Sequence, residues 1–154
     1  MKIKKSPLIL NDFYVLDSKY KFNDPGDKKI LIKELFDSYD IELDFMTKNQ
    51  KSGEIFFFTK LSINNQDNPK AGYIIFVEGV SIFNFDNDSV LNEKEKADLI
   101  YLSGLSIAIN NLRAFISNLT SSFPLGKYQI PTIDIIALHS EKKKQMKIKR
   151  KNNS

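Results

Sequence analysis

The spacing of apolar residues changes once along the chain, from every second position to every third or fourth. In the first half, aromatic and β-branched residues alternate with polar ones and are bounded by clusters of Pro, Gly, Asn and Asp, which is typical of strands. These segments predict four strands, at residues 13–23, 38–46, 53–63 and 71–83. Strands gathered first and helices gathered last predict an α+β fold, in which a four-stranded antiparallel sheet is followed by helices.

The second half of the chain predicts a long helix and a shorter C-terminal helix. Asn92 is placed to cap the long helix, and Glu95, three residues later, completes a capping box. Pro124 ends this helix after about thirty residues, which corresponds to a rod of about 45 Å. The shorter helix is predicted to begin after Pro131, and we expect segment 30–36 to be a crossover or a short additional element.

The long helix carries an unbroken apolar stripe. We predict that the stripe forms an oligomer interface, because further apolar positions surround the helix and one sheet covers only one side of it. The alternative is an ordinary core helix whose surplus apolar positions are covered by loops and by the last segment. The stripe consists of Leu102, Leu105, Ile109, Leu112, Ile116 and Leu119.

The central hairpin of the predicted sheet is apolar on both faces. Ile55 and Phe57 lie on one side of the third strand, whereas Phe56 and Phe58 point to the other. One layer of helices covers only one of these faces. We therefore expect something beyond the chain's own helices to cover the second face.

Positive charge is concentrated at the C-terminus. The chain has 23 Lys and Arg against 19 Asp and Glu, and seven of the basic residues fall within residues 142–151, so the remainder is mildly acidic. We predict that residues 1–141 form one domain and residues 142–154 a basic, flexible tail, because like charges repel one another and bury little. Nucleic-acid binding is not expected, since the folded part has the wrong sign.

The sequence disfavours most catalytic classes. There is no Cys, which excludes disulfides and thiolate chemistry, and the single histidine, His139, provides no metal-binding pair. No Gly-rich nucleotide loop or serine elbow is present. We therefore expect no enzyme activity, cofactor or metal site. We find no signal-peptide core and no apolar run long enough to cross a bilayer, so we expect a cytoplasmic protein without membrane insertion.

The order of these segments resembles the SecB family of bacterial export chaperones and its SecB-like relatives. The resemblance rests on FYVLDSKYKFNDP in the first strand, VEGVSIFNF in the fourth and the long helix LSGLSIAINNLRAFISNLTSSFP, and it covers residues 13–140. It implies an ATP-independent chaperone, or holdase, that binds unfolded or precursor polypeptides in apolar grooves for protein export. It also implies a homotetramer, a dimer of dimers with the long helices between the dimers.

The resemblance further implies which residues contact partners. The family's client groove runs near the crossover, the second strand and the second helix, and the matching positions are Leu35, Phe36, Tyr39, Phe45, Tyr128, Ile133 and Ile136. Asp17 matches an acid that SecB presents to the motor ATPase SecA, but Lys21 stands where the next acid is expected. On the fourth strand, Glu78 is the acid nearest to the family's position.

Three functions from different classes remain open. The first is a chaperone for many unfolded chains, which in export delivers them to SecA. The second is a SecB-like partner dedicated to one client, such as the antitoxin of a toxin–antitoxin system. The third is an enzyme or small-ligand binder that uses the cleft between sheet and helix.

Overall fold

A computed structural model describes residues 1–26 and 29–152 of the 154-residue chain. It contains four strands, which are β1 (Leu8–Asn23), β2 (Ile41–Asn49), β3 (Ile55–Ile63) and β4 (Gly72–Phe85). A short helix, α1 (Ile32–Asp37), lies between β1 and β2. After the sheet come α2 (Glu93–Leu99), a π-helical turn (Ile100–Gly104), α3 (Leu105–Thr120) and α4 (Ile135–Asn152).

The four strands form one antiparallel sheet in the order β1-β4-β3-β2. Consecutive hairpins join β2, β3 and β4, whereas β1 pairs with β4, so the chain crosses from one edge of the sheet to the other through α1. Two irregularities in β1, between Leu10 and Asp12 and between Val15 and Asp17, shift its register against β4. The predicted α+β fold with four antiparallel strands is confirmed, and the expected crossover contains α1.

α2, the π-helical turn and α3 form one continuous helix from Glu93 to Thr120. Its capping box is present as predicted. The Asn92 side chain accepts a hydrogen bond from the Glu95 amide at 3.0 Å, and the Glu95 carboxylate accepts one from the Asn92 amide at 2.9 Å. The helix ends shortly before Pro124, as the sequence predicts.

The long helix buries most of its apolar stripe against its own sheet. Leu105, Ile109, Leu112 and Ile116 are each at most 3% exposed and belong to the core clusters that β3 and β4 also form. The prediction that these four residues form an oligomer interface is therefore wrong. A spacing of three and four residues serves equally for a helix that lies on a sheet and for one in a coiled-coil seam, so the pattern could not separate them.

The other two stripe residues keep part of their surface outside the core. Leu102 is 43% exposed and Leu119 is half-buried, and their contact with a second chain stays a prediction. By length and composition alone, Glu93–Thr120 is apolar enough to cross a membrane, which corrects the expectation that no segment is. The mean hydropathy of this helix is high despite its scattered Ser and Asn residues, because it is an average over many positions. Its packing against the sheet shows how a core helix meets the same criterion.

α4 continues into the predicted tail. It extends to Asn152, so the predicted boundary after residue 141 falls inside a helix. Lys142 forms an ion pair with Asp44 and lies 5.5 Å from the ring centre of Phe45. Lys142 is therefore attached to the β2 edge of the sheet. The flexibility of the residues after it stays a prediction, and residues 153 and 154 lie outside the described residues.

The helices cover one face of the sheet. The core on that face divides into one cluster that contains Tyr73 and Leu112 and another that contains Phe57 and Leu105. On the opposite face, Phe56, Phe58 and Ile82 are only partly buried. Within the described residues, the chain's own helices therefore leave this second face open.

Candidate functional site

A groove opens between α1, the start of β2 and the extended segment that leads from α3 to α4. Its volume is about 370 Å³. The residues that line it are Phe36, Asp37, Tyr39, Ile41, Tyr128, Gln129, Ile130, Pro131 and Thr132. The floor is mostly aromatic and aliphatic, whereas the exposed residues Asp37, Gln129 and Thr132 place polar groups at the rim.

The end of α1 brings two aromatic residues together. The Ser38 hydroxyl donates a hydrogen bond to the Leu35 carbonyl at 2.7 Å, and its amide also bonds back to α1, so the helix stops there. The chain then turns directly into β2. Tyr39 consequently packs against Phe36, with 5.7 Å between the ring centres, while Leu35 is buried in the core beside them.

The rings of Phe36, Tyr39 and Tyr128 contact one another. Phe36 meets Tyr128 edge to face with 5.1 Å between ring centres, and Tyr39 lies 5.7 Å from Tyr128. Tyr73 of β4 extends the cluster and lies 5.5 Å from Phe36. Aromatic pairs of this kind stabilise a fold by about 0.5–1.5 kcal/mol each beyond their burial. The groove floor is therefore a packed aromatic layer.

Hydrogen bonds fix Tyr39 beneath the groove. Its hydroxyl accepts a hydrogen bond from the Tyr73 amide at 2.9 Å and donates one to the Ala71 carbonyl at 3.0 Å. Gly72, between these two residues, has a φ of +90°, and a Cβ atom there would stand 2.1 Å from the Tyr39 hydroxyl oxygen. The position therefore requires glycine, both for its backbone conformation and for the space that Tyr39 occupies.

Tyr73 and Thr120 hold the segment that follows α3. The Tyr73 hydroxyl donates to the Gly126 carbonyl and accepts from the Leu125 amide, both at 2.8 Å. The Thr120 hydroxyl accepts a hydrogen bond from the Tyr128 amide at 2.8 Å. These three bonds position the segment so that Tyr128 reaches the groove floor.

The Tyr128 hydroxyl differs from those of Tyr39 and Tyr73. It is buried and has no hydrogen-bond partner among the described residues. Burial raises the pKa of Tyr128 to about 12, with smaller effects from Tyr39 and Asp37. Burial also raises the pKa of Tyr39 and of Tyr73, against the opposing effect of the backbone amides that donate to them. The three tyrosines are neutral near pH 7, so the aromatic floor carries no charge.

Five of the seven predicted groove residues lie at the groove or in the core beside it. Phe36 is half-buried in the lining, and Tyr39 and Tyr128 are 6% and 1% exposed in its floor. Leu35 is buried in the same core cluster, against which the half-buried Ile133 packs. Tyr128 is so completely covered that it supports the fold as well as lining the groove.

Phe45 and Ile136 lie away from this groove, and their contact with a client stays a prediction. Phe45 is six residues beyond Tyr39 in β2, a distance of about 20 Å along a strand. It is buried in the second core cluster, stacked on Phe57 with 5.7 Å between ring centres. Ile136 is 72% exposed because the preceding residue, Ile135, is the one that packs on the core.

Ile41 and Ile130 line the groove but are absent from the predicted set. Ile41 follows Tyr39 at a spacing of two, and Ile130 follows Tyr128 at the same spacing. Alternation along an extended chain could therefore have identified both residues. The sequence carries no comparable signal for Gly72, because its importance depends on where a distant hydroxyl group lies.

Asp17 and Glu78, the acids that the resemblance implies as SecA contacts, are cross-strand partners in β1 and β4. They lie on the face of the sheet that the helices do not cover. Asp17 forms an ion pair with Lys19 at 3.2 Å, and Glu78 forms one with Lys60 at 3.6 Å. The two acids are therefore adjacent, but each has a lysine beside it.

His139 has a structural environment on α4. It stacks on Tyr101, with 5.0 Å between ring centres. Burial and the nearby Lys143 lower the pKa of His139, against the opposing effect of Asp98. Among the described residues, no group of three or more His, Cys, Asp and Glu side chains is placed to hold a metal ion.

The antiparallel sheet, the crossover and the long helix together form a SecB-like fold. A solved SecB-like chaperone from Mycobacterium tuberculosis, in complex with a ChAD peptide from the HigA1 antitoxin, matches with a TM-score of 0.61 and 13% sequence identity. The match covers 82% of this chain and 91% of that chain. The SecB-like fold implied by the sequence resemblance is therefore confirmed.

The other comparisons add no functional information. A solved protein of unknown function from Streptococcus agalactiae matches with a TM-score of 0.38 and 10% identity, over 82% of this chain and 97% of that one. No protein-family model matches the chain, and no curated protein sequence matches it either. The similarity to known proteins thus lies in the fold.

Proposed function

We propose that this protein is an ATP-independent chaperone that binds unfolded or extended polypeptides in the aromatic groove. The observation that carries the proposal is an open groove with an uncharged aromatic floor, formed by Phe36, Tyr39 and Tyr128, in a SecB-like fold. The half-buried side chains of Phe36 and Ile41 supply the apolar contact area that a client can reach, because Tyr39 and Tyr128 beneath them are almost completely covered. The sequence contains no nucleotide-cradling loop, which agrees with binding that requires no ATP.

The size of the groove limits the affinity of one site. A volume of about 370 Å³ accommodates a few side chains. Burial of one large apolar side chain contributes about 1.5–3 kcal/mol, so a single groove binds weakly and tight capture requires several contacts along one client. We therefore include in the proposal an oligomer, such as the homotetramer that the resemblance implies, which presents several grooves to one polypeptide.

A second candidate is a chaperone dedicated to one client. It is favoured by the Mycobacterium tuberculosis neighbour, whose bound peptide comes from an antitoxin. In this case the groove recognises one segment of a single partner, for example an antitoxin. Unrelated unfolded proteins would then not be kept in solution.

Delivery of clients to SecA is left out of the proposal. Asp17 and Glu78 each form an ion pair with a lysine of the same sheet, and Lys21 stands where the family carries a further acid. The proposed place of action is the cytoplasm, where newly made chains are still unfolded. No catalytic activity is proposed.

The test compares wild type with Phe36→Ser and a matched control, Leu31→Ser. Leu31 precedes α1, is 67% exposed and does not line the groove. Wild type and the control should suppress aggregation of two unrelated unfolded proteins without nucleotide. Phe36→Ser should weaken client binding about tenfold to a hundredfold, because it removes one aromatic contact. Tyr128 is unsuitable for this test, since its removal would open a cavity in the core.

Light scattering of the client reports aggregation, and circular dichroism confirms that each variant is folded. If wild type retains no unrelated client but binds an antitoxin peptide, and Phe36→Ser weakens that binding, the dedicated-partner candidate is supported instead. If Phe36→Ser performs like Leu31→Ser, the groove assignment is wrong.

A further inference from the structure

The outer face of the sheet, which is the face turned away from the helices, carries ordered rows of side chains. Strand register places cross-strand neighbours in rows that run from β1 through β4 and β3 to β2. Starting from the β2–β3 hairpin, the rows are Asp12, Ile82, Phe56 and Lys48; Tyr14, Val80, Phe58 and Met46; Asp17, Glu78, Lys60 and Asp44; Lys19, Phe76, Ser62 and Glu42; and Lys21 and Ile74, with Asp40 just before β2.

The first two rows form an apolar patch. Phe56 and Phe58 contact each other, with 6.3 Å between ring centres, and both are partly exposed, as is Ile82. At the sides of the patch, Met46 is 58% exposed and Tyr14 is 51% exposed. An apolar sheet face of this kind is normally covered by a second layer of structure. The described residues provide a layer only on the other face.

The two edges of the outer face differ in charge. Read from the hairpin end, the charged residues along β1 are Asp12, Asp17, Lys19 and Lys21, and those along β2 are Lys48, Asp44, Glu42 and Asp40. The signs are opposite in three of the four rows. A surface with opposite signs at its two edges complements a copy of itself that is turned over, so that each edge meets the other edge of the copy.

We propose that the outer face packs on the outer face of a second copy of this chain, about a twofold axis parallel to the strands. β1 of each copy then lies over β2 of the other, and the two sheets form an aligned sandwich. The inference does not depend on the groove. It is an alternative to a tetramer held together by the long helices, because contacts on both faces of the sheet would build an open stack of chains. The residues brought opposite each other are Asp12 and Lys48, Glu78 and Lys60, Lys19 and Glu42, Lys21 and Asp40, Tyr14 and Met46, and Ile82 and Phe56.

One row of this arrangement is unfavourable, because Asp17 faces Asp44 of the second copy. Each of these acids already has a lysine on its own chain, which is Lys19 for Asp17 and Lys142 for Asp44. The local charge is therefore partly neutralised before the two copies meet.

The alternative twofold axis, perpendicular to the strands, fits less well. It would place the central charged row directly opposite the same row of the second chain, so that Glu78 meets Glu78 and Lys60 meets Lys60. Like charges in direct opposition cost free energy and suppress such pairings. This axis would also bring Lys21 over Asp12 instead of Asp40, and that difference makes the orientation testable.

The experiment measures self-association of the full chain by sedimentation and light scattering over a range of concentrations. Wild type should approach twice the 17.7 kDa mass of one chain, or a larger assembly built from that pair. Lys21→Glu and Asp40→Lys should each weaken the pairing about tenfold, since each change affects two symmetric contacts. The double variant, which restores opposite signs, should return to within about threefold of wild type. Lys51→Glu, in the β2–β3 turn, is the control and should change nothing.

The outcomes separate the possible occupants of the face. Weaker self-association in both single variants, together with recovery of self-association in the double variant, supports this second-copy arrangement. A wild type that stays at the mass of one chain at high micromolar concentration would overturn it and leave the face to a different protein. Self-association that is weakened in the single variants and does not recover in the double variant would also overturn it, because the chains would then pair about another axis. Equal self-association of Lys21→Glu and the control would overturn it too, because the chains would then pair through another surface.

Discussion

Replacing Tyr39 with Phe removes one oxygen atom from beneath the groove and leaves the aromatic ring in place. That oxygen is the hydrogen-bond partner of the Tyr73 amide and the Ala71 carbonyl. The Tyr73 amide lies in the buried start of β4, where no water can replace the lost acceptor without rearrangement. The variant therefore creates an unpaired buried donor without a cavity, which isolates the contribution of the hydrogen bonds.

The expected cost follows from these two bonds. An unpaired buried donor costs about 1–3 kcal/mol, and the second bond contributes about 0.5–1.5 kcal/mol. We therefore expect Tyr39→Phe to lower the free energy of unfolding by about 2–4 kcal/mol. Tyr128→Phe is the matched control, because it deletes the same atom from a buried hydroxyl that has no partner among the described residues. It should leave stability unchanged or raise it by up to about 1 kcal/mol.

Urea unfolding followed by circular dichroism measures both variants, and an unchanged m-value shows that a stability difference belongs to the folded state. Equal losses of unfolding free energy in the two variants would refute the reasoning, because the bonded and the unbonded hydroxyl would then contribute equally to stability. A larger loss in Tyr128→Phe would refute it as well.

Three further predictions concern stability. Gly72→Ala should cost at least about 2 kcal/mol in urea unfolding, because φ is +90° and the new Cβ meets the Tyr39 hydroxyl and, less closely, Leu125 and Leu35. Adding Tyr39→Phe should relieve the closest of these contacts but not the backbone strain. The free energy of unfolding should fall as pH rises from 10 towards 12, because burial raises the pKa of Tyr128 and its unfolded form ionises first; Tyr128→Phe should reduce this fall. Stability should also fall below pH 6.5, because the folded state lowers the pKa of His139. His139→Phe keeps a ring on Tyr101 and should remove that fall, and a pH profile identical to that of wild type would contradict the assignment.

The features that the sequence predicted correctly depend on neighbouring residues. The strands follow from alternation, and the helix start follows from Asn92 and Glu95, each of whose side chains bonds to the backbone of the other. Such local interactions are the same in any tertiary context. The fold class then follows from the order of the elements.

The stripe on the long helix could not be assigned from its pattern. Leu105 and Leu112 are fully buried against the chain's own sheet, although their spacing suits a helix–helix seam equally well. The choice depends on which partner surface is available, and that is a property of the whole fold. The excess apolar surface was predicted correctly for the sheet, where Phe56 and Phe58 remain partly exposed.

The groove was predictable in part for a similar reason. Phe36 and Tyr39 are close in sequence, and the turn at the end of α1 brings them together. Tyr128 joins them through hydrogen bonds from distant residues, and Phe45 is separated from them by the length of a strand. Sequence spacing therefore indicates that Phe36 and Tyr39 lie together, whereas the positions of Tyr128 and Phe45 relative to them depend on the fold.

Hydrogen–deuterium exchange of the protein, with and without an excess of an unfolded polypeptide, tests the central claim most directly. If the aromatic groove binds the polypeptide, the backbone amides of residues 36–41 and of residues 128–130 and 132 should exchange more slowly in its presence. Protection of the same segments should be weaker in Phe36→Ser, whereas Leu31→Ser should behave as wild type. A polypeptide that binds while these two segments exchange as fast as in the free protein would contradict the account.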